Sequence, residues 1–158
     1  MATNNRLLNE IKRIKNEPIE NVTFNIDETN LFEWDFTLLG PHESPYEGGI
    51  YNGVIKFPQN YPHKPPTIKF ISKLFHPNVY PDGKLCISIL HEGADTTNYE
   101  HESERWRPVH NVHTIFISII SLLNDSNPDS AANIDAAKLF RENKKEYYLK
   151  IKKDMENE

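Results

Sequence analysis

Hydrophobic positions along the chain change period twice, and the changes divide it into three stretches. In residues 3–16, Leu7, Leu8, Ile11 and Ile14 recur at helical spacing, with Arg6, Lys12, Arg13 and Lys15 among the outward positions and Pro18 just past the end. This predicts a short amphipathic helix with a basic outer side. From 19 to 72 the period is that of strands: 22–26, 32–38, 49–57 and 67–71, with turn residues between each pair. Consecutive strands with short connections and no intervening helix predict an antiparallel meander, one face packed on helices and the other wet. Residues 40–49 read as an inter-strand loop. The three prolines in 61–66 predict an extended, preordered crossing in preference to a ligand for an SH3-like module.

After Leu90 the composition shifts. Residues 91–105 carry Glu92, Asp95, Glu100, Glu102 and Glu104 against the single basic Arg105, with no apolar period, and read as an exposed acidic loop. Val112, Ile115, Phe116, Ile119, Ile120 and Leu123 then form a strongly apolar stripe, predicted to be the most buried helix. The polar run 124–130 stops it. A further helix is predicted from near Asn133, with Ile134, Ala137 and Phe140 inward, and Tyr147, Tyr148 and Ile151 continue a helical pattern toward the C-terminus. No internal repeat is visible, so the fold class expected is α/β of the α+β kind, in one domain spanning 1–158 with the acidic insertion at about 91–105.

Composition narrows the function classes. A chain of 158 residues is the size of one ordinary domain and buries about two-thirds of its unfolded surface. Mean hydropathy of −0.66 predicts an amply polar surface, and 11 prolines against 6 glycines predict rigid loops in place of linkers. No apolar run approaches the roughly 18 residues of a membrane span, and the first residues lack the apolar core of a signal peptide. One cysteine makes no internal disulfide, which fits a reducing cytosolic or nuclear setting. A net charge of −5 argues against nucleic acid as the main partner.

That cysteine, Cys86, is the centre of the candidate chemistry. By default a free cysteine among apolar residues is a core residue. Here Pro77, Pro81 and the pair Asp82-Gly83 prevent a regular strand, so irregular backbone leads up to the thiol, a setting typical of reactive cysteines. Three readings are open. A thiol hydrolase needs a His base and an orienting carboxylate or amide whose positions the sequence does not show. A metal site would draw on Cys86, His91, His101, His110 and His113, but neither HExxH nor paired-cysteine spacing is present. A carrier cysteine accepts an acyl group as a thioester and passes it to an amine, which requires a positioned thiol and an oxyanion donor more than a strong base.

His76-Pro77-Asn78, then seven residues, then Cys86 and Ile87-Ser88-Ile89-Leu90 resemble the active-site signature of ubiquitin-conjugating enzymes. Also similar are Trp34, Gly40-Pro41 with the run 44–49, Phe57 with Tyr61-Pro62 and Lys64-Pro65-Pro66, Trp106 with Pro108, and Asp125 with Asn127-Pro128-Asp129. The matches cover nearly the whole chain in the family's order. The acidic insertion resembles the acidic-loop subgroup, most of all its G-type members.

The resemblance implies the ubiquitin-conjugating fold, with an N-terminal helix, a four-stranded antiparallel meander, a central helix and C-terminal helices. It implies that Cys86 accepts ubiquitin from the activating enzyme as a thioester and transfers it to a substrate or ubiquitin lysine, usually with a RING-type ligase, in protein degradation. Asn78 would steady the oxyanion or its loop, and His76 would shape that loop through hydrogen bonds. Arg6 and the basic first helix, with the loops around His63 and Pro108, would meet the activating enzyme and the ligase. Ile117 and Ser121 would lie on the surface that holds the donor ubiquitin. No cofactor or metal is implied, since ATP is used upstream by the activating enzyme. The expected protein is a monomer, without nucleic acid or membrane span, cytoplasmic, nuclear or recruited to the endoplasmic reticulum surface by partners. Alternatives are the same fold charged with another ubiquitin-like modifier, and a binding-only relative.

Two positions depart from the family pattern. His63 stands where many members carry an aromatic, which bears on ligase preference. Ser130 stands where many carry an acidic gate residue, so a carboxylate that lowers the incoming lysine's pKa would come from Asp129 or the acidic loop.

Overall fold

A computed structural model of the chain describes residues 2–92, 105–128 and 131–157. The strand-period stretch forms one antiparallel sheet in sequence order: β1 (Val22–Ile26), β2 (Glu33–Leu39), β3 (Ile50–Lys56) and β4 (Thr67–Phe70). The register pairs Trp34 with Ile26 on one side and Ile55 on the other, so their side chains fall on one face. Period-two alternation turns Trp34, Phe36, Leu38, Tyr51, Ile55, Ile68 and Phe70 inward, all buried. The helix α2 (Val112–Asn124) lies on that face with Val112, Ile115, Phe116, Ile119 and Leu123 buried. The Phe116 ring meets Phe36 and Phe24 edge-on, at centroid distances of 5.0 and 5.1 Å. Asn111 caps α2 reciprocally with Thr114, which explains why the apolar stripe begins there as a helix.

The first helix, α1 (Ala2–Asn16), buries Leu7, Ile11 and a carboxylate, Glu10. Leu8, expected inward, is about half exposed, and Ile14 is only partly buried. The inward stripe is narrower than its apolar residues suggest because Glu10 occupies the position between Leu7 and Ile11. Its Oε2 accepts from Arg6 Nε at 3.0 Å and from the Tyr61 hydroxyl. Its Oε1 accepts from the Val112 N–H at 2.6 Å, at the first turn of α2. A carboxylate at a helix N-terminus meets unsatisfied N–H groups, and the counter-charge of Arg6 makes its burial tolerable.

Residues 61–64 are turned, not extended. The Tyr61 and His63 N–H groups close onto Pro58 and Asn60 carbonyls, and the Tyr61 hydroxyl is anchored on Glu10. The chain after 130 forms two helices, α3 (Ile134–Glu142) and α4 (Lys144–Glu156), with Asn143 ending one and capping the other. Ile134, expected inward, is 75% exposed. Asn133 caps α3 and fixes Ile134 as its first residue, on the side away from the core; Ala136 and Ala137 take the buried positions. Tyr147 and Ile151 are buried, while Tyr148 faces outward. Among the described residues, no helix is long and apolar enough to cross a membrane.

Candidate active site around Cys86

The approach to Cys86 is irregular, as the prolines and the Asp82-Gly83 pair require. After β4 the chain runs through 71–80, reverses at 80–83 and returns beside β4. The Phe70 N–H donates to Gly83 O at 2.8 Å, the Leu85 N–H to Ile68 O at 3.0 Å, and Val79 bridges Leu85. Gly83 has φ of +100°, and a Cβ there would come 2.0 Å from the Phe70 carbonyl oxygen, so only glycine fits the reversal. A single 3-10 turn, Ser88–Leu90, follows with Ile87 and Ile89 buried. Cys86 lies between these anchors, partly exposed, its N–H donating to Asn78 O at 2.9 Å.

The sulfur's neighbours explain what it can do. His91 Nε2 lies 3.5 Å from Cys86 Sγ, brought back across the 3-10 turn. Tyr80 lies on the other side, its phenol pushed above its ordinary pKa, first by the Cys86 sulfur. Together with Pro65, Pro66, Lys84 and Leu90, these side chains line a groove of about 220 Å³ along the thiol. A partly exposed cysteine beside an open groove is reachable by an extended chain end, unlike a core cysteine. Sequence reasoning set His91 only among possible metal ligands and passed over Tyr80. The spacing of five from Cys86 to His91 carries no signal until the turn between them is known.

His76 is fully buried and its ring is bonded at both nitrogens. Nδ1 accepts from the Asn78 N–H at 2.9 Å, so the proton is on Nε2, which donates to Leu122 O at 3.0 Å. Ser126 Oγ lies 3.2 Å from the same Nε2. Burial holds the His76 pKa down to about 4, so the ring is neutral near pH 7 and is no proton acceptor at its donating nitrogen. Asn78, also buried, makes a two-way clasp with a single residue: its Nδ2 donates to Asn127 O at 2.9 Å, and its Oδ1 accepts from the Asn127 N–H at 3.0 Å. The Pro77 carbonyl accepts from the Ala132 and Asn133 N–H groups at the start of α3. The His-Pro-Asn segment thereby joins the end of α2, the segment after it and α3 in one framework. Asn127 and Ser126 belong to that framework, although sequence analysis assigned them no separate role.

The remaining predicted residues fall on two surfaces. Arg6 donates through Nη1 to Pro108 O at 3.1 Å and through Nη2 to His110 O at 2.6 Å, besides its ion pair with Glu10. Trp106 Nε1 donates to Pro62 O at 2.9 Å, which ties the loop of exposed His63 to that of exposed Pro108. Arg6, His63 and Pro108 are thus brought into one region, with Arg6 bonded to the framework of the α2 entry. Ile117 and Ser121, one turn apart, are exposed on the outer side of α2, away from the sheet. The ends of the acidic insertion are pinned together: the Trp106 N–H donates to His91 O at 2.9 Å, and Arg105 Nη2 to Glu92 O at 2.8 Å. Asp129, Ser130 and residues 93–104, which include His101 and most of the acidic loop, lie outside the described residues. Among the described residues no group of three or more His, Cys, Asp or Glu side chains is arranged to hold a metal ion.

The sequence profile of the ubiquitin-conjugating enzyme family matches residues 6–155. Ubiquitin-conjugating enzyme E2 13 of Arabidopsis thaliana is 48% identical over 147 residues, covering 92% of this chain and 89% of that protein. Ubiquitin-conjugating enzyme E2 7 of Triticum aestivum is 52% identical over 128 residues, 81% of this chain and 76% of its own. Ubiquitin-conjugating enzyme E2 15 of Schizosaccharomyces pombe is 44% identical over 154 residues, 96% of this chain and 92% of its own. With its helix, four-stranded meander and three further helices in the same order, the chain belongs to the ubiquitin-conjugating enzyme family and is a ubiquitin-conjugating transferase.

Proposed function

We propose that Cys86 is the residue on which ubiquitin is carried, and that the clasp between Asn78 and Asn127 is what keeps its surroundings fit for transfer. In the charging step the Cys86 thiolate attacks the thioester carbonyl between ubiquitin and the activating enzyme, and the activating enzyme's sulfur leaves. In the transfer step a neutral lysine amine attacks the Cys86 thioester carbonyl, a tetrahedral oxyanion forms, the nitrogen gives up a proton to solvent, and collapse expels the Cys86 thiolate and leaves an isopeptide bond. ATP belongs to the upstream activation. The observation that carries this reading is the partly exposed Cys86 beside the groove of about 220 Å³, room for the extended C-terminal end of ubiquitin.

His76, neutral and bonded at both nitrogens, supports the loop and does not take the lysine's proton. Asn78 acts through the loop it clasps: its carboxamide plane is fixed by two bonds to Asn127. A preorganised loop keeps donors in place as charge develops on the oxyanion, which is worth more than a donor that must reorient. The exposed residues His63 and Pro108 and the basic face of α1 form the docking region for the activating enzyme and a RING-type ligase, and Ile117 with Ser121 the face for the donor ubiquitin. The protein works as a cytoplasmic or nuclear monomer.

Charging assays with matched activating enzymes test the choice of modifier. The expected result is a reductant-labile adduct with ubiquitin and none with other ubiquitin-like modifiers under the same conditions. Faster charging by another modifier would overturn it.

A further inference from the structure

The imidazole of His91 and the thiol of Cys86 are held together by backbone anchors on both sides. Nε2 lies 3.5 Å from Sγ, a hydrogen-bond distance for sulfur. The Cys86 N–H donates to Asn78 O at 2.9 Å, which fixes the thiol's end. The His91 N–H donates to Ser88 O at 2.9 Å, closing the 3-10 turn, and His91 O accepts from the Trp106 N–H at 2.9 Å. Trp106 is buried, and its indole Nε1 donates to Pro62 O. The ring is therefore carried by a turn pinned at both ends and aimed back at the residue that opens it.

We propose that His91 is a further catalytic residue, the base that takes the Cys86 thiol proton when ubiquitin is loaded. The role rests on Cys86 being the ubiquitin acceptor. His76 does not serve: it is fully buried, and its nitrogens are engaged by the Asn78 N–H and the Leu122 carbonyl. In the loading step the S–H proton passes to Nε2, and the freed pair on Sγ forms the new C–S bond to the ubiquitin carbonyl. The C–S bond to the activating enzyme then breaks with its pair on the departing sulfur, which takes up a proton, and the imidazolium returns its own to solvent. Nε2 is the accepting nitrogen in this step, so Nδ1 bears the ring proton. The thiolate is the nucleophile and the minor form of an ordinary thiol at neutral pH, so an adjacent imidazole raises the reactive fraction. Among the described residues, the Tyr80 phenol and Lys84 line the same groove from the reversal, Glu92 follows His91, and Arg105 Nη2 is held on the Glu92 carbonyl at 2.8 Å. Of these side-chain types only histidine ordinarily changes charge between about pH 5 and 8.

Because the chain has a single cysteine, alkylation by iodoacetamide reads this thiol alone, with neither ubiquitin nor activating enzyme present. The full-length wild type, His91→Ala and His91→Gln are compared from about pH 6 to 10. Near pH 7 both variants are expected to alkylate about ten-fold more slowly, the effect of one hydrogen bond to a charged group at a partly exposed site. Near pH 10, where a thiol ionises unaided, the three rates are expected to converge. His91→Gln keeps a donor N–H but takes no proton, so it is expected to follow His91→Ala and not the wild type. Charging with ubiquitin at limiting concentrations of the protein is expected to slow by about the same factor near pH 7, and the ratio to wild type to recover as pH rises.

Superimposed alkylation profiles for the wild type and both variants, a wild-type profile in His91→Gln, or variants slower by one constant factor at every pH, as a merely displaced thiol would be, would overturn the role of His91. A wild type that alkylates with the expected profile but takes no ubiquitin on Cys86 would instead overturn the acceptor assignment on which that role rests.

Discussion

Asn78 and Asn127, 49 residues apart, hold each other by two hydrogen bonds of 2.9 and 3.0 Å between one side chain and one backbone unit. A carboxamide presents a donor and an acceptor side by side, matched to the carbonyl and the N–H of the partner. Asn78→Ala frees both backbone groups of the exposed Asn127 at a part-buried contact and is expected to cost about 1 kcal/mol of stability. It should also slow discharge of the thioester by more than it slows charging. Denaturant melts and single-turnover rates check both. Asn78→Asp keeps the acceptor but sets a carboxylate against the Asn127 carbonyl, and should discharge no faster than Asn78→Ala.

His76 makes stability depend on acid in a defined direction. Its folded pKa, about 4, lies below the 6.5 of a free histidine, so between these values the unfolded chain binds the proton and the native one does not. The contribution is fully present above pH 6.5 and is lost as pH falls toward 4, by a difference on the order of 3 kcal/mol. Melting curves from pH 7.5 to 4 should show that loss for the wild type and a flatter profile for His76→Gln, whose amide carries no titrating group.

Glu10 is the charge at the junction of α1, Tyr61 and α2. Glu10→Ala leaves Arg6 without its buried partner and the first turn of α2 without an acceptor, and is expected to cost about 3 kcal/mol. Glu10→Gln, which keeps an acceptor oxygen, should cost less. Ranking the two by urea midpoints checks the assignment, and equal midpoints would contradict it.

The strand meander, the apolar face of α2 and the thiol at the end of a broken strand were legible in sequence because each depends on local pattern: period two, period 3.6, and turn residues before Cys86. Leu8 and Ile134 were misplaced because periodicity identifies a face but not what else competes for it. A buried Glu10 narrowed the first stripe, and the Asn133 cap turned Ile134 outward. His91 beside the sulfur, Ser126 beside His76 and the Asn127 backbone beside Asn78 were not legible, since each contact depends on how distant segments or a tight turn bring atoms together. The residues that carry recognisable chemistry were readable, and the residues that hold them in place were not.

Gly83 offers a test of how strictly the approach to Cys86 is built. With φ of +100° and the Phe70 carbonyl 2.0 Å from where a Cβ would sit, Gly83→Ala forces the reversal at 80–83 off β4. Expression as a folded protein with slowed charging and discharge is the expected outcome. Rates equal to wild type would show that the position of Cys86 does not depend on this turn.

The most direct measurement is the nature of the bond formed at residue 86. Wild type, Cys86→Ser and Cys86→Ala are incubated with activating enzyme, ATP and ubiquitin, and the products are separated with and without reductant. The wild type is expected to give an adduct that reductant removes, Cys86→Ser an adduct that resists reductant because it is an oxygen ester, and Cys86→Ala neither. A reductant-labile ubiquitin adduct of undiminished yield on Cys86→Ala would contradict the assignment of Cys86 as the acceptor.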